Sequence, residues 1–158
     1  MKNFFIPVLL LVLVTACSNN DEQKTRDHPH SSEIPKTQAD SLMADVMKGH
    51  DVGMAKMGKL RTMQKNAEAA LDSIAKLPSK AKAAAEPYKA KIEGVLQELK
   101  SARFGMEKWM DEFNMDSAVN NMEQRIKYLT DEKLRVSKVK EDILSSLQKA
   151  DSLIKAKL

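Results

Sequence analysis

The chain predicts an all-α fold, an antiparallel up-down-up three-helix bundle with coiled-coil-like packing. Three observations carry this. Apolar side chains recur at steps of three and four over three long stretches, which is helical periodicity. Breaks fall at Leu77-Pro78-Ser79 and at Asn114–Asp116, and short connections between long helices force antiparallel neighbours. Only five glycines and no alternating pattern leave little room for a sheet. A single extended coiled coil is the structural alternative, opposed by both breaks.

Ahead of the bundle, residues 1–16 read as a signal peptide. Lys2 gives a positive start, and residues 4–14 form an apolar run. That run is shorter than the roughly 20 residues a membrane span needs. It leads into Val14-Thr15-Ala16-Cys17, which resembles the bacterial lipobox. The resemblance implies cleavage before Cys17 and diacylglycerol on its sulfur, so membrane lipid becomes the first partner. Two or more acyl chains there give stable anchoring without a span. Cys17 is the only cysteine, which leaves no disulfide, thiolate nucleophile or Cys-based metal site.

Residues 17–36 then form the lipidated cysteine and a tether. The segment "SNNDEQKTRDHPHSSEIPK" is polar, with two prolines, and cannot bury enough surface to offset its ordering entropy. His28 and His30 within it are a loose candidate metal pair. Ser18 after the cysteine fits an outer-membrane destination under the enteric sorting rule. Asp21-Glu22 resembles the surface-export signal of Bacteroidota lipoproteins. The expected location is the cell envelope, as an outer-membrane lipoprotein facing the periplasm or the surface.

Residues 37–158 make the bundle, with helices expected at about 38–77, 80–113 and 117–156. Thr37 with Asp40 resembles a capping box that starts the first helix. Its seam runs through 43, 46/47, 50, 54, 57, 60, 67, 71 and 74, with Gln64 as the polar exception. Pro78 ends it. The second helix carries Ile92, Val95, Leu96, Leu99, Ala102, Met106, Trp109, Met110 and Phe113, with Ser79 as candidate N-cap. Pro87 predicts a kink, or else a regular helix that starts near Glu86. Asn114–Asp116 supplies the next turn and cap. The third helix shows Val119, Met122, Ile126, Leu129, Val136, Ile143, Leu147, Ala150 and Ile154. The pattern leaves the oligomeric state open.

The chain holds 26 Lys/Arg and 22 Asp/Glu, a formal +4. The signs are interleaved as on a solvated helical surface, so no nucleic-acid partner is expected. The methionines are localised instead. Nine of them lie between residues 43 and 122, with none in 64–105 or 123–158. Folding the first turn about residue 78 sets His50 opposite residue 107 and Met47 opposite Met110. Folding the second about 115 brings Met106 and Met110 near Met122. Met43, Met47, His50, Met54, Met57, Met106, Trp109, Met110, Met115 and Met122 are thereby expected at one end of the bundle.

Two chemistries fit that cluster. Methionine fills irregular gaps and packs on aromatic rings, so the end is core or a groove for an envelope protein. His50 is then a core histidine hydrogen-bonded to a carboxylate such as Glu107. Alternatively, thioether and imidazole donors suit Cu(I). His50, Met54, Met106 and Met110 are the candidate ligands, supported by Met47 and Met57, with Trp109 capping the ion. This ligand inventory resembles that of periplasmic copper chaperones, which use a different fold. A b-type haem held by His50 and a methionine is a third, less favoured idea, since three helices give a narrow cavity.

An enzyme is not expected. The domain has one histidine, no Gly-rich phosphate loop and no HExxH, and Asp51 beside His50 points to a different helix face. At the other end Lys76, Lys80, Lys82, Lys89 and Lys91 gather about the first turn, a basic tip suited to an anionic glycan or lipid headgroup. "HDVGMAKMGKL" and "MEKWMDEF" resemble recurring segments of short Bacteroidota envelope lipoproteins often labelled "viral A-type inclusion protein". That label reflects coiled-coil similarity and implies no viral role. The resemblance covers most of the mature chain and implies no established activity.

Overall fold

The computed structural model describes residues 37–155. The signal segment, Cys17, the tether with His28 and His30, and residues 156–158 lie outside the described residues. The described residues form one compact unit. Its helices are α1 (Gln38–Ala75), α2 (Ser79–Glu112) and α3 (Met122–Lys155), and each packs against both others. At 1.5 Å per residue α1 is about 57 Å long and its partners about 51 Å. Cross-helix pairs fix the directions. Lys133 bonds Asp45 at 2.7 Å and Lys59 bonds Asp151, so α1 and α3 run parallel. His50 meets Trp109 while Lys100 bonds Glu68 at 3.0 Å, so α2 runs against α1. The all-α up-down-up bundle is the observed fold.

The start of α1 follows the sequence. Thr37 Oγ1 accepts from the Asp40 N–H at 3.1 Å, and Asp40 Oδ2 accepts from the Thr37 N–H at 3.0 Å. Such a cap is worth about 1 kcal/mol. The start of α2 differs from expectation. Pro78 occupies the N-cap and Ser79 is already helical, with no side-chain cap. Pro87 lies inside the same continuous helix. Its missing N–H would have met the carbonyl of Ala83, and both positions are exposed, so that carbonyl is open to solvent.

The third helix is later than expected, at Met122 rather than near 117. Asn114 Oδ1 takes the Asp116 N–H at 2.9 Å, closing a local turn. Ala118 then sits in the left-handed region at φ 57°, which breaks any helix running through it. Asn121 Oδ1 accepts from the Gln124 N–H at 3.0 Å and caps α3. The connection changes the register. Phe113 stacks on Tyr128 and Asp45 is level with Lys133. The first turn of α3 therefore overhangs both neighbours by about 6–9 Å. Val119 and Met122, expected in the core, are 56% and 55% exposed, and Met115 is 57% exposed. They have no helix opposite them to pack on.

The core is built from Val46, Met57, Leu60, Leu99, Ala102, Met106, Trp109, Val136, Ile143, Leu147 and Ala150. Gln64 is buried because its Nε2 donates to the Leu99 carbonyl at 3.0 Å. Two buried glycines one turn apart, Gly49 and Gly53, let the partners approach α1. A Cβ on Gly49 would lie 2.9 Å from Val136 Cγ1, and one on Gly53 would lie 2.2 Å from Met106 Cε. The valine is stiff about χ1, whereas the methionine end can swing away.

Gly49→Ala is therefore expected to destabilise the bundle by about 1 kcal/mol, overpacking outweighing the gain in helix propensity. A Cβ on Gly58 meets nothing within 4 Å, so Gly58→Ala should stabilise by about 0.5–1 kcal/mol. Urea denaturation of the two variants reads both signs.

Candidate functional site

Four rings make a ladder across one end of the bundle. His50 of α1 lies 5.7 Å from Trp109 of α2, Trp109 stacks on Phe113 at 4.8 Å, and Phe113 on Tyr128 of α3 at 6.2 Å. The Tyr128 hydroxyl accepts from the Asn114 N–H at 2.8 Å, which ties the ladder to the α2–α3 loop. Trp109 is buried, and a buried indole N–H needs an acceptor. Glu132 supplies it, 2.9 Å away and itself only 3% exposed. The other Glu132 oxygen accepts from Arg135 at 2.7 Å, and Arg135 also bonds Glu112. Burial pulls the Arg135 guanidinium down, but its hydrogen bonds and charges at Glu132 and Glu112 hold it above its ordinary value.

The sequence reading missed this network. Its signal was present: Glu132 occupies a core position between Leu129 and Val136, where a carboxylate is stable only with a donor and a counter-charge.

The methionines divide into three groups instead of one cluster. Met57 and Met106 are core, 4% and 0% exposed, with the Met106 methyl seated over Gly53. Met43, Met47 and His50 are half-buried and Met54 is 38% exposed. Their spacing places these four on one flank of α1. Met110, one turn beyond Met106, is half-buried against the core. Met115 and Met122 lie on the overhanging end and do not join the set. The expected pairing is off by about two residues at His50, which meets Trp109 instead of position 107.

His50 also has a different partner from the one expected. Its Nδ1 lies 3.0 Å from Asp51 Oδ1, so the Asp51 side chain does not point away, and Glu107 instead pairs with Arg103 at 3.7 Å. Holding Nδ1 on a carboxylate fixes the ring and makes Nε2 the nitrogen that a ligand would use. That is the usual arrangement behind a metal-ligating histidine. Among the described residues no three His, Cys, Asp or Glu side chains gather as a metal group, so any ion held here relies on thioethers.

The basic end is partly neutralised. Lys76 bonds Asp72 at 2.6 Å, and Lys89 bonds Glu86 at 3.0 Å with Glu93 at 3.6 Å. The hydrogen bond to Glu86 holds the Lys89 ammonium above its ordinary value. Lys80, Lys82 and Lys91 are exposed. No helix among the described residues is long and apolar enough to cross a membrane. Comparison with protein-family models, curated proteins and solved structures gave no match.

Removing Glu132 strands the Trp109 N–H in the core. Glu132→Ala is expected to destabilise by about 2–4 kcal/mol, with a red shift of Trp109 emission as water enters. Glu132→Gln keeps the acceptor and should recover most of that loss. Glu112→Ala, at the exposed end of the network, should change stability by less than about 1 kcal/mol. Equal losses for Glu132→Ala and Glu112→Ala would contradict the assignment.

Proposed function

We propose that this chain is an acylated outer-membrane lipoprotein of the Bacteroidota type whose bundle works by binding and not by catalysis. The anchor rests on the lipobox-like run ending at Cys17. The binding role rests on one observation, the half-exposed flank of Met43, Met47, His50 and Met54, whose His50 meets Trp109, the sequence neighbour of Met110. Met57 and Met106 fill the core at this level, so packing alone does not account for four more soft side chains at the surface.

The ligand class we propose for the flank is a soft monovalent metal such as Cu(I). His50 Nε2 is the lead donor, with Met47, Met54 and Met110 as thioether donors, because these ligands suit a soft ion where no thiolate is present. Trp109 stands behind His50 as a reporter. The second reading, an apolar face of a partner protein laid on the same flank, is favoured by the flexibility of methionine at such surfaces.

Two measurements test this. In cells, Cys17→Ala should block acylation and move the chain out of the membrane fraction. In solution, the compact unit should bind one Cu(I) against a competing chelator under anaerobic conditions. Affinity should fall at least about tenfold, or about 1.4 kcal/mol, in His50→Ala and in Met110→Leu. Binding unchanged by both variants would remove the metal reading and leave the partner-protein one.

A further inference from the structure

The overhanging end carries a feature that neither the core nor the flank uses. Loop residues 113–121 and the first turn of α3 present Met115, Val119 and Met122, each more than half exposed. The loop holding them is firmly built. The Asn114 N–H donates to Tyr128, Asn114 closes the turn at Asp116, Asn121 caps α3, and Arg125 donates to the Ser117 carbonyl at 2.7 Å. Ala118 adopts φ 57°, a conformation unfavourable for a residue with a Cβ. Local bonds therefore maintain a strained backbone that keeps three large apolar side chains in water. Mobile polar loops do not look like this.

The end also has a direction. α1 starts beside it, because Asp45 is level with Lys133 and α3 overhangs by about 6–9 Å. The chain from Cys17 thus enters the bundle at the end where the apolar tip lies. Cys17 is 20 residues before Thr37, a separation that spans at most about 70 Å. Residues 113–125 carry Asp116 and Glu123 against one cation, Arg125, which is tied to the Ser117 carbonyl, and nearby Lys127 is paired with Asp131 at 2.9 Å. The tip is apolar with a weakly acidic rim.

We propose that Met115, Val119 and Met122 form a membrane-contact tip that rests in the headgroup layer of an electrically neutral lipid surface. The physiological setting rests on the anchored-lipoprotein reading above. The tip's own affinity is weak, because only three side chains enter. Anchoring makes it effective by holding it at a millimolar local concentration of surface. Contact stands the rod on its α3 end, which leaves the methionine flank just above the headgroups and holds the basic end about 50 Å away. The acidic rim selects neutral over anionic lipid, the reverse of a basic peripheral protein.

The test couples residues 17–158, which contain the whole compact unit, through the Cys17 thiol to maleimide lipid in phosphatidylcholine/phosphatidylethanolamine vesicles. Chemical coupling supplies the anchor whether or not cells acylate Cys17. A failed tip and a failed lipoprotein reading are therefore told apart by the separate Cys17→Ala fractionation. Val119→Trp places a fluorophore on the tip, and brominated acyl chains quench what enters the bilayer. The expected result is quenching at least about twofold above that of the parent chain, whose Trp109 is buried. It should drop to the parent level on adding Met115→Asp and Met122→Asp, and fall when phosphatidylglycerol replaces neutral lipid. Both aspartate positions are exposed, so an unchanged urea midpoint confirms that the fold is retained. Parent-level quenching in the coupled Val119→Trp chain overturns the proposal. So does concentration-dependent self-association relieved by the aspartates without quenching, which would assign the tip to a second copy of the chain.

Discussion

The close approach at Gly49 and Gly53 sets the geometry of the methionine-rich end. With no Cβ at either position, Val136 of α3 and Met106 of α2 reach the backbone of α1 from two sides. A third helix can then touch both others at the same level. The consequence extends to His50, one residue past Gly49 on the same turn. It is brought against the Trp109 ring and leaves the core for the flank. The glycines carry an intrinsic helix penalty of about 1 kcal/mol each, which the tight packing of two buried side chains over them offsets.

A second constraint specifies the pairing of α2 with α3. Burying Glu132 is unfavourable by itself, and its bonds to Trp109 and Arg135 offset a penalty that any shifted register would leave uncovered. Sliding α3 by one turn would set an apolar residue against the indole N–H and strand the carboxylate. Methionine-rich packing is tolerant of such slips, because the side chain adapts. A polar contact with one satisfying geometry is therefore most useful where the core is softest. Glu132 lies there, at the level of Trp109, while the Leu- and Ile-rich remainder relies on shape and on the buried bond from Gln64 to the Leu99 carbonyl.

The fold was legible because helices this long repeat their signal many times. The Thr37–Asp40 capping box, the break at Pro78 and the seam of α1 could each be read from local chemistry. The register of α3 could not. Nothing in the apolar pattern separates a helix starting at 117 from one starting at 122, since Val119 and Met122 continue the same period. The information lay in two asparagines, Asn114 and Asn121, and in a left-handed Ala118 that no propensity foretells. That five-residue difference moved Met115 and Met122 out of the expected cluster. The candidate site was legible as a stripe along α1, while periodicity left open which side chains turn inward: Met57 and Met106 are core, Met54 is surface. The carboxylate on His50 came from its sequence neighbour, a pairing that helix-face reasoning dismisses because adjacent residues diverge.

The three methionine environments correspond to three mechanical positions in the bundle, and this orders the possible roles. A side chain enclosed by three helices, such as Met106, contributes packing and has no access to a ligand. One on a flank between two helices keeps a rigid backbone beneath it and an open side above it, the geometry in which donors can be preorganised. One on an overhang, such as Met122, has neither neighbour. Its exposure follows from α3 being longer at that end than α1 and α2, and the side-chain bonds of Asn114, Asn121 and Arg125 keep it from folding back. Core and flank thus differ in the helix face they occupy, and the tip differs from both by an axial offset of about one to two turns. A change in the α2–α3 loop length would therefore move the tip relative to the core and flank while leaving the helices intact.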